Sequence, residues 1–204
     1  MQTPPRKGHA LTDRGSLLRL WLTAVAGVAV DLGSKSLAWR WLGSPGASGH
    51  CAVRDVISDW LSLSTSENLG IVFGLRFSDD PQVGRLVTIL LTVATCGLIF
   101  YLFSTTRPSQ RWVHLACALT MAGAMGNLYD RIVFGFVRDF IQFTGHLDLA
   151  GRRLDWPYIF NVADAYLVVG VAALALAYLF GGAGKADPAD TGKPAEKRRD
   201  RKRA

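Results

Sequence analysis

Cysteine is scarce in this 204-residue chain, and its three copies lie far apart, at Cys51, Cys96 and Cys117. So few and scattered thiols exclude a disulfide framework. Cys96 and Cys117 lie in apolar stretches, where a cysteine packs as a small hydrophobic residue. No residue cluster has the spacing of a metal-binding motif. The sequence therefore predicts a protein that has no metal and no other cofactor.

Charge is scarce in four long stretches of the chain. Hydrophobic residues make up 50% of the sequence and gather in these stretches. Each stretch is about long enough to cross a hydrocarbon core, which takes roughly 20 residues of helix. The sequence therefore predicts an all-α membrane protein with four transmembrane helices. Their expected spans are about 17–42, 84–103, 112–130 and 161–180.

Basic residues are unevenly divided between the predicted loops. Of the 23 Lys and Arg, fourteen lie in the N-terminal segment, the 104–111 loop and the tail from Gly181. The 43–83 loop contains only Arg54 and Arg76. Because cytoplasmic loops are enriched in positive charge, both termini are expected in the cytoplasm and the 43–83 loop outside.

A strand pattern interrupts this outer loop. Asp59–Ser64, DWLSLS, alternates apolar and polar residues as a short strand does. The segment ENLGIVFGLRF follows and ends in another apolar stretch. We therefore expect a small extracytoplasmic β element that lies against the membrane.

The C-terminal segment 181–204 has no apolar periodicity, and eight of its residues are basic. Such a segment is expected to be a disordered basic cytoplasmic tail. Its KRRDRKR run could bind nucleic acid, but contact with anionic membrane lipid is the favoured interpretation. Residues 1–180 then form a single four-helix membrane domain.

Polar residues occur at four places in or beside the apolar stretches. Asp31 and Lys35 are four residues apart, so they share one face of the first helix. They either neutralise each other or line a functional cavity. Asn127 and Arg131 have the same spacing at the end of the third helix. We expect the neighbouring Asp130 to pair with Arg131 as a structural buttress.

The other two places have a simple structural explanation. Glu67–Gly70 is typical of a turn. Asn161, followed three residues later by Asp164, matches a capping box at the start of the fourth helix.

The expected membrane topology suggests a second role for two of the acids. The third helix runs outward and the fourth runs inward, so Asp139 and Asp164 are expected at one depth on the outer side. Apolar neighbours favour the protonated form of Asp139, and two close carboxylates tend to share a proton. One can then activate water while the other protonates the leaving group. This pair would hydrolyse a peptide without a metal, a serine or a cysteine.

The motifs DLGSK, ENLGIVFGL, GNLYDRIVFGFVRDF and FNVADA, in this order, resemble those of the lipoprotein signal peptidases, the type II signal peptidases. The resemblance covers roughly Val30 to Gly170. It implies a monomeric aspartyl endopeptidase of the bacterial cytoplasmic membrane, with its active site facing outward. Its partners would be membrane lipids and diacylglyceryl-modified prolipoproteins, which it would cut on the N-terminal side of the lipidated cysteine.

The resemblance also implies roles for individual residues. Asp139 and Asp164 match the catalytic pair. Other polar positions match residues that bind substrate or support the site. These are Asp31, Lys35, Asn68, Gly70, Asn127, Asp130, Arg131 and Asn161.

The chain departs from the family pattern at three places. Arg138 stands where an apolar residue is usual, Ala165 stands where serine is common, and Ile71-Val72 is bulkier than the usual pair. Because the catalytic positions are intact, these departures concern substrate preference and not the reaction.

Two other classes of membrane protein stay open. A small proton- or ion-coupled transporter could use Asp31, Lys35, Asp139 and Asp164 as a relay. A non-catalytic membrane chaperone with a basic tail is the second. The clustering of the acids toward the outer side favours the peptidase, as does the absence of a visible repeat of discontinuous helices.

Overall fold

Four long helices form where the four apolar stretches predict them. In the computed structural model they are α1 (Arg14–Leu42), α2 (Pro81–Ser104), α3 (Arg111–Val133) and α4 (Val162–Phe180). A short 3-10 helix, Ala10–Thr12, precedes α1. The structure describes residues 8–45, 53–58, 60–70, 78, 80–149, 152–155 and 158–180. Cys51, Ile71-Val72 and the tail 181–204 lie outside these residues.

The starts of α1 and α2 follow local capping rules. Asp13 precedes α1, and its carboxylate accepts a 2.8 Å hydrogen bond from the Ser16 backbone N–H. Asp80 caps α2 in the same way, and Pro81 occupies the first turn, where its missing N–H costs nothing. These side chains supply acceptors to N–H groups that have no partner within the helix.

Within the part of the chain that the structure describes, three helices are long and apolar enough to cross a membrane: α1, α2 and α4. The chain is therefore a multi-pass membrane protein. The helix α3 is comparable in length, with 23 residues, but is not among these three. It packs against each of the other three helices, so most of its surface meets protein and not lipid.

Small residues let the helices approach α3 closely. A Cβ added at Gly27 of α1 would lie 2.7 Å from the Cβ of Ala122 on α3. A Cβ at Gly126 would collide with the carboxylate of Asp31, and one at Gly123 with the backbone oxygen of Ala163. Such close approach is the usual role of small residues between membrane helices.

A four-stranded antiparallel sheet lies at the end of the bundle where α1 ends and α4 begins. Its strand order is β1 (Arg54–Ile57), β2 (Leu61–Asn68), β3 (Val137–Phe143) and β6 (Ile159–Phe160). A separate hairpin joins β4 (His146–Leu149) to β5 (Arg152–Asp155).

The sequence predicted only part of this sheet. The last four residues of the alternating DWLSLS segment do form a strand, because β2 begins at Leu61. The strand continues through Asn68, so the turn expected at Glu67–Gly70 starts later. Its long partner is β3, which comes from the other loop of this end. No local sequence pattern predicts a pairing between segments about 70 residues apart, because strand pairing depends on how the side chains pack.

Candidate active site

Asp139 is fixed by the pairing of β2 with β3. The register places Ser66 opposite Asp139 and Asn68 opposite Val137. The Asp139 side chain is buried, with 2% of the residue exposed. It accepts hydrogen bonds from Asn68 Nδ2 at 2.9 Å and from Asn161 Nδ2 at 2.6 Å. Two amide donors therefore hold its two oxygens in place.

The surroundings of Asp139 shift its acidity strongly. The pKa of this carboxyl group is raised from 3.8 to about 7, chiefly by burial and next by the nearby charge of Asp164. The hydrogen bonds from Asn68 and Asn161 and the charge of Lys35 act in the opposite direction. Burial has the largest effect because the carboxylate loses more stabilisation from water than the hydrogen bonds of the two amides replace.

Asp164 lies in the first turn of α4, as the capping box predicts. Its backbone N–H donates to Asn161 Oδ1 at 3.1 Å, and the Asn161 N–H donates to Asp164 Oδ2 at 3.1 Å. The other Asp164 oxygen accepts a 2.8 Å bond from Asn127 Nδ2. The capping interpretation is correct, and it does not exclude a further role.

Asn161 joins the two acids directly. Its backbone N–H contacts Asp164, while its side-chain amide donates to Asp139 and, at 3.2 Å, to Asn127 Oδ1. The residue is fully buried. One asparagine thus holds Asp139 and Asp164 in a common frame, although one lies on a strand and the other on a helix.

Lys35 supports this frame from α1. Its Nζ contacts Asp31 Oδ2 at 2.8 Å, Asn127 Oδ1 at 2.9 Å and Asp130 Oδ2 at 3.3 Å. The second Asp31 oxygen accepts a 2.9 Å bond from the Ala163 N–H, at the start of α4. The predicted pair of Asp31 and Lys35 is therefore confirmed, and it contacts both α3 and α4.

The expected pairing of Asp130 with Arg131 is wrong. Asp130 accepts from Arg138, through Nε at 3.1 Å, Nη2 at 2.8 Å and the backbone N–H at 3.0 Å. Arg131 instead donates to the carbonyl oxygen of Gly70 at 3.0 Å and to that of Asn127 at 3.3 Å. Neighbouring residues on a helix point about 100° apart, so i,i+1 side chains do not face each other.

The structure brings all the predicted site residues into one hydrogen-bonded cluster. Gly70 joins it through its N–H, which donates to Asn68 Oδ1 at 2.9 Å. Sequence reasoning missed Arg138 as a member of this cluster. A signal was present, because Arg138 stands among the apolar residues Phe136, Val137 and Phe140, where a charged residue requires a partner.

Comparison with known proteins identifies the family of this chain. The family model described as signal peptidase (SPase) II matches residues 23–180. The chain belongs to this family. Members named lipoprotein signal peptidase include one from Chlorobaculum tepidum, 38% identical over 159 residues, or 76% of this chain and 91% of the relative. One from Aeromonas hydrophila is 33% identical over 169 residues, 81% of this chain and 91% of that protein.

Solved structures of bacterial membrane enzymes share the fold. One superposes with a TM-score of 0.62 at 25% identity, over 81% of this chain and 90% of the other. A second has a TM-score of 0.60 at 27% identity, over 78% of this chain and 91% of the other. The helices and sheet described above therefore form a known membrane-enzyme architecture.

The cluster contains four carboxylates. Among the described residues, no group of three or more His, Cys, Asp and Glu side chains could hold a metal ion. The carboxylates are instead bound by asparagine amides, Lys35 and Arg138. Asp139 and Asp164 are the two whose oxygens accept hydrogen bonds from asparagine side chains.

Proposed function

We propose that this member of the signal peptidase II family is an aspartyl endopeptidase. It would remove the signal peptide from diacylglyceryl-modified prolipoproteins, on the N-terminal side of the lipidated cysteine. The single observation that supports this most strongly is the bridging of Asp139 and Asp164 by Asn161. Family membership suggests which reaction the protein catalyses, and the two acids that Asn161 bridges are groups that can carry it out.

The proposed reaction uses one proton held between the two acids. The raised pKa of Asp139, about 7, lets one acid stay protonated near neutral pH while the other is ionised. The ionised carboxylate takes a proton from water as the water attacks the scissile carbonyl carbon. The protonated acid donates to the developing oxyanion or to the leaving amine. No covalent enzyme intermediate is needed.

The segment after β2 is suited to hold an extended peptide beside the acids. Asn68 contacts Asp139 and also accepts from the Gly70 N–H. Arg131 fixes the Gly70 carbonyl. We propose that Glu67–Leu75, of which the structure describes only the first four residues, closes over the substrate backbone.

A membrane placement follows from the same proposal. The helix α3 would form the fourth span, surrounded by the three apolar helices, with both termini in the cytoplasm. The acids would then face outward, near the level at which a lipid-anchored cysteine emerges. Below them, the core formed by Leu20, Ala24, Phe103, Ala118 and Leu174 is apolar. The four acids of the cluster all lie at one end of the bundle. This favours a peptidase over a proton relay, which needs polar groups through the membrane.

Cleavage of a diacylglyceryl-modified lipobox peptide by the purified protein in detergent tests the proposal. The wild-type protein should cut before the lipidated cysteine, with or without chelator. Asp139→Asn and Asp164→Asn should each reduce the rate by a factor of about 100 or more, because an amide cannot transfer the proton. Near-normal cleavage by either variant would exclude the acid pair as the catalytic group.

A further inference from the structure

Arg138 lies beside the proposed acid pair but touches neither member of it. It is 6% exposed, and its guanidinium lies 4.4 Å from the centre of the Phe134 ring. Its Nη1 contacts Ser36 Oγ at 3.4 Å, and its Nε and Nη2 both donate to Asp130 Oδ1. A buried arginine with this many contacts is held in one position.

Asp130 is shared between Arg138 and Lys35. Arg138 holds Oδ1 at 2.8 Å, whereas Lys35 lies 3.3 Å from Oδ2. The shorter contacts of Lys35 are with Asp31 and with Asn127 Oδ1. Because Arg138 neutralises Asp130, Lys35 is free to stay close to Asn127. Without Arg138, Lys35 would be the remaining cation on Asp130 and would be drawn toward it.

Asn127 carries this effect to the acid pair. Lys35 binds its Oδ1, which fixes the orientation of the amide, and its Nδ2 donates to Asp164 Oδ1 at 2.8 Å. A displaced Lys35 would leave Asn161 Nδ2, at 3.2 Å, as the remaining donor to Asn127 Oδ1. The amide that binds Asp164 would then be held less firmly. Outer partners that orient functional side chains act in this way.

The charge balance leads to the same conclusion. The cluster contains four acids and three bases, all buried except the half-buried Asp164. These are Asp31, Asp130, Asp139, Asp164, Lys35, Arg131 and Arg138. With one proton shared by the acid pair, the cluster is neutral, and loss of Arg138 would leave one negative charge in excess. Glu67 lies opposite Arg138 on β2 but is exposed, so water screens its charge.

We propose that Arg138 is a positioning residue for the acid pair, acting through Asp130, Lys35 and Asn127 on Asp164. This inference rests on the proposed function, since it concerns the same acids. Arg138 sets the orientation of the Asn127 amide and keeps the charge of the cluster at zero. It predicts effects on turnover and on the pH dependence of cleavage that a residue serving only folding would not have.

The test measures kcat against pH for wild type, Arg138→Met, Arg138→Lys and the double variant Asp130→Asn/Arg138→Met. In Arg138→Met, kcat should fall about tenfold, in the range seen when an outer partner of a functional side chain is lost. The pH at which activity declines should move upward, because the excess negative charge retains the shared proton. Arg138→Lys keeps the charge, so its pH profile should match wild type.

The double variant separates this relay from a general loss of packing. Removing the carboxylate together with the arginine restores neutrality and leaves nothing to draw Lys35 away. Its pH profile should therefore return toward wild type, and its kcat should exceed that of Arg138→Met. Arg54→Met, an exposed arginine stacked on Trp41, is the matched control and should be unchanged.

The inference is overturned if Arg138→Met keeps wild-type kcat and pH profile, or if the double variant is no better than the single one. Should Arg138→Met not fold in detergent, the pH profile of Arg138→Lys decides, and a shift there contradicts the charge argument. Wild-type cleavage and its loss in Asp139→Asn are measured alongside. If wild type does not cleave, or if Asp139→Asn still does, the proposed function is wrong. If both controls behave as expected, a negative result for Arg138→Met contradicts only the inference about Arg138.

Discussion

Asn161 Nδ2 lies 2.6 Å from Asp139 Oδ1, a contact that ties the residue before α4 to the middle of β3. The same asparagine caps α4 through its Oδ1 and contacts Asp164 through its backbone. One side chain thus combines a local structural role with a long-range one. The two roles can be separated by substitution.

Asn161→Ser should separate them. Serine caps a helix about as well as asparagine, but it lacks the amide donor that reaches Asp139. We expect a thermal stability near that of wild type and a large fall in kcat. Asn161→Ala loses the cap as well and should be less stable by about 1 kcal/mol. Equal activity of Asn161→Ser and wild type, measured in the peptide assay, would contradict the bridging role.

The pH dependence follows from the raised pKa of Asp139, about 7. Below this value Asp139 holds the proton that the proposed reaction needs, so kcat should decline as the pH rises above about 7. Asp139, Asp164, Lys35 and Arg131 all contribute charge at the site. A rate that stayed constant from pH 6 to 9 would argue against a shared proton.

Stability should respond to pH in the same direction. The folded pKa of Asp139 exceeds the unfolded value of 3.8, so the folded state binds the proton more tightly. Its contribution to stability is complete below pH 3.8 and is lost as the pH rises through about 7. Asp139→Asn should flatten this decline in melting temperature between pH 4 and 8. An unchanged slope in this variant would mean that other groups cause it.

Asn68→Ala should affect both turnover and pH dependence. Its amide donates to Asp139 and lowers the pKa of that carboxyl group, so the decline in activity should move to higher pH. Hydrogen bonds to charged groups contribute about 1.5–3 kcal/mol, which corresponds to a fall in rate of about 10- to 160-fold. Ser62→Ala, on the same strand but bonded to Asp55, is the control and should behave as wild type.

Gly126→Ala should destabilise the protein and reduce its activity. The added methyl group would collide with the Asp31 carboxylate, which holds the Ala163 N–H and Lys35. Overpacking of this kind costs about 1–3 kcal/mol. The matched control is Gly33→Ala on α1, where an added Cβ meets nothing within 4 Å. A Gly126→Ala protein as stable and active as this control would contradict the close packing.

The proposed topology can be tested with reporter fusions. Fusions after residues 60 and 150 should report an extracytoplasmic location, and a fusion after residue 107 a cytoplasmic one. The prediction rests on the positive charge of the N-terminal segment and the tail, and on α3 as a fourth span. An outward signal at residue 107 would require a different number of crossings.

The sequence by itself determined the elements whose cause is local. Apolar length predicted the helices α1 to α4. The spacing of Asp31 and Lys35 predicted that they share a helix face, where they make a 2.8 Å contact. Asn161 and Asp164 form the capping box that three-residue spacing requires. In each case the partners lie within one helical turn, so their geometry is fixed once the helix forms.

Only the tertiary structure decided the partners that are distant in sequence. The pairing of β2 with β3 brings Asn68 to Asp139 across 71 residues, and the packing of α3 on α4 brings Asn127 to Asp164 across 37. Asp130 pairs with Arg138 and not with its neighbour Arg131. Buried charges and amides take whichever partner the packed elements bring within reach, because an unpaired one is costly. That choice depends on the positions of α1, α3, β3 and α4 together, which local spacing does not contain.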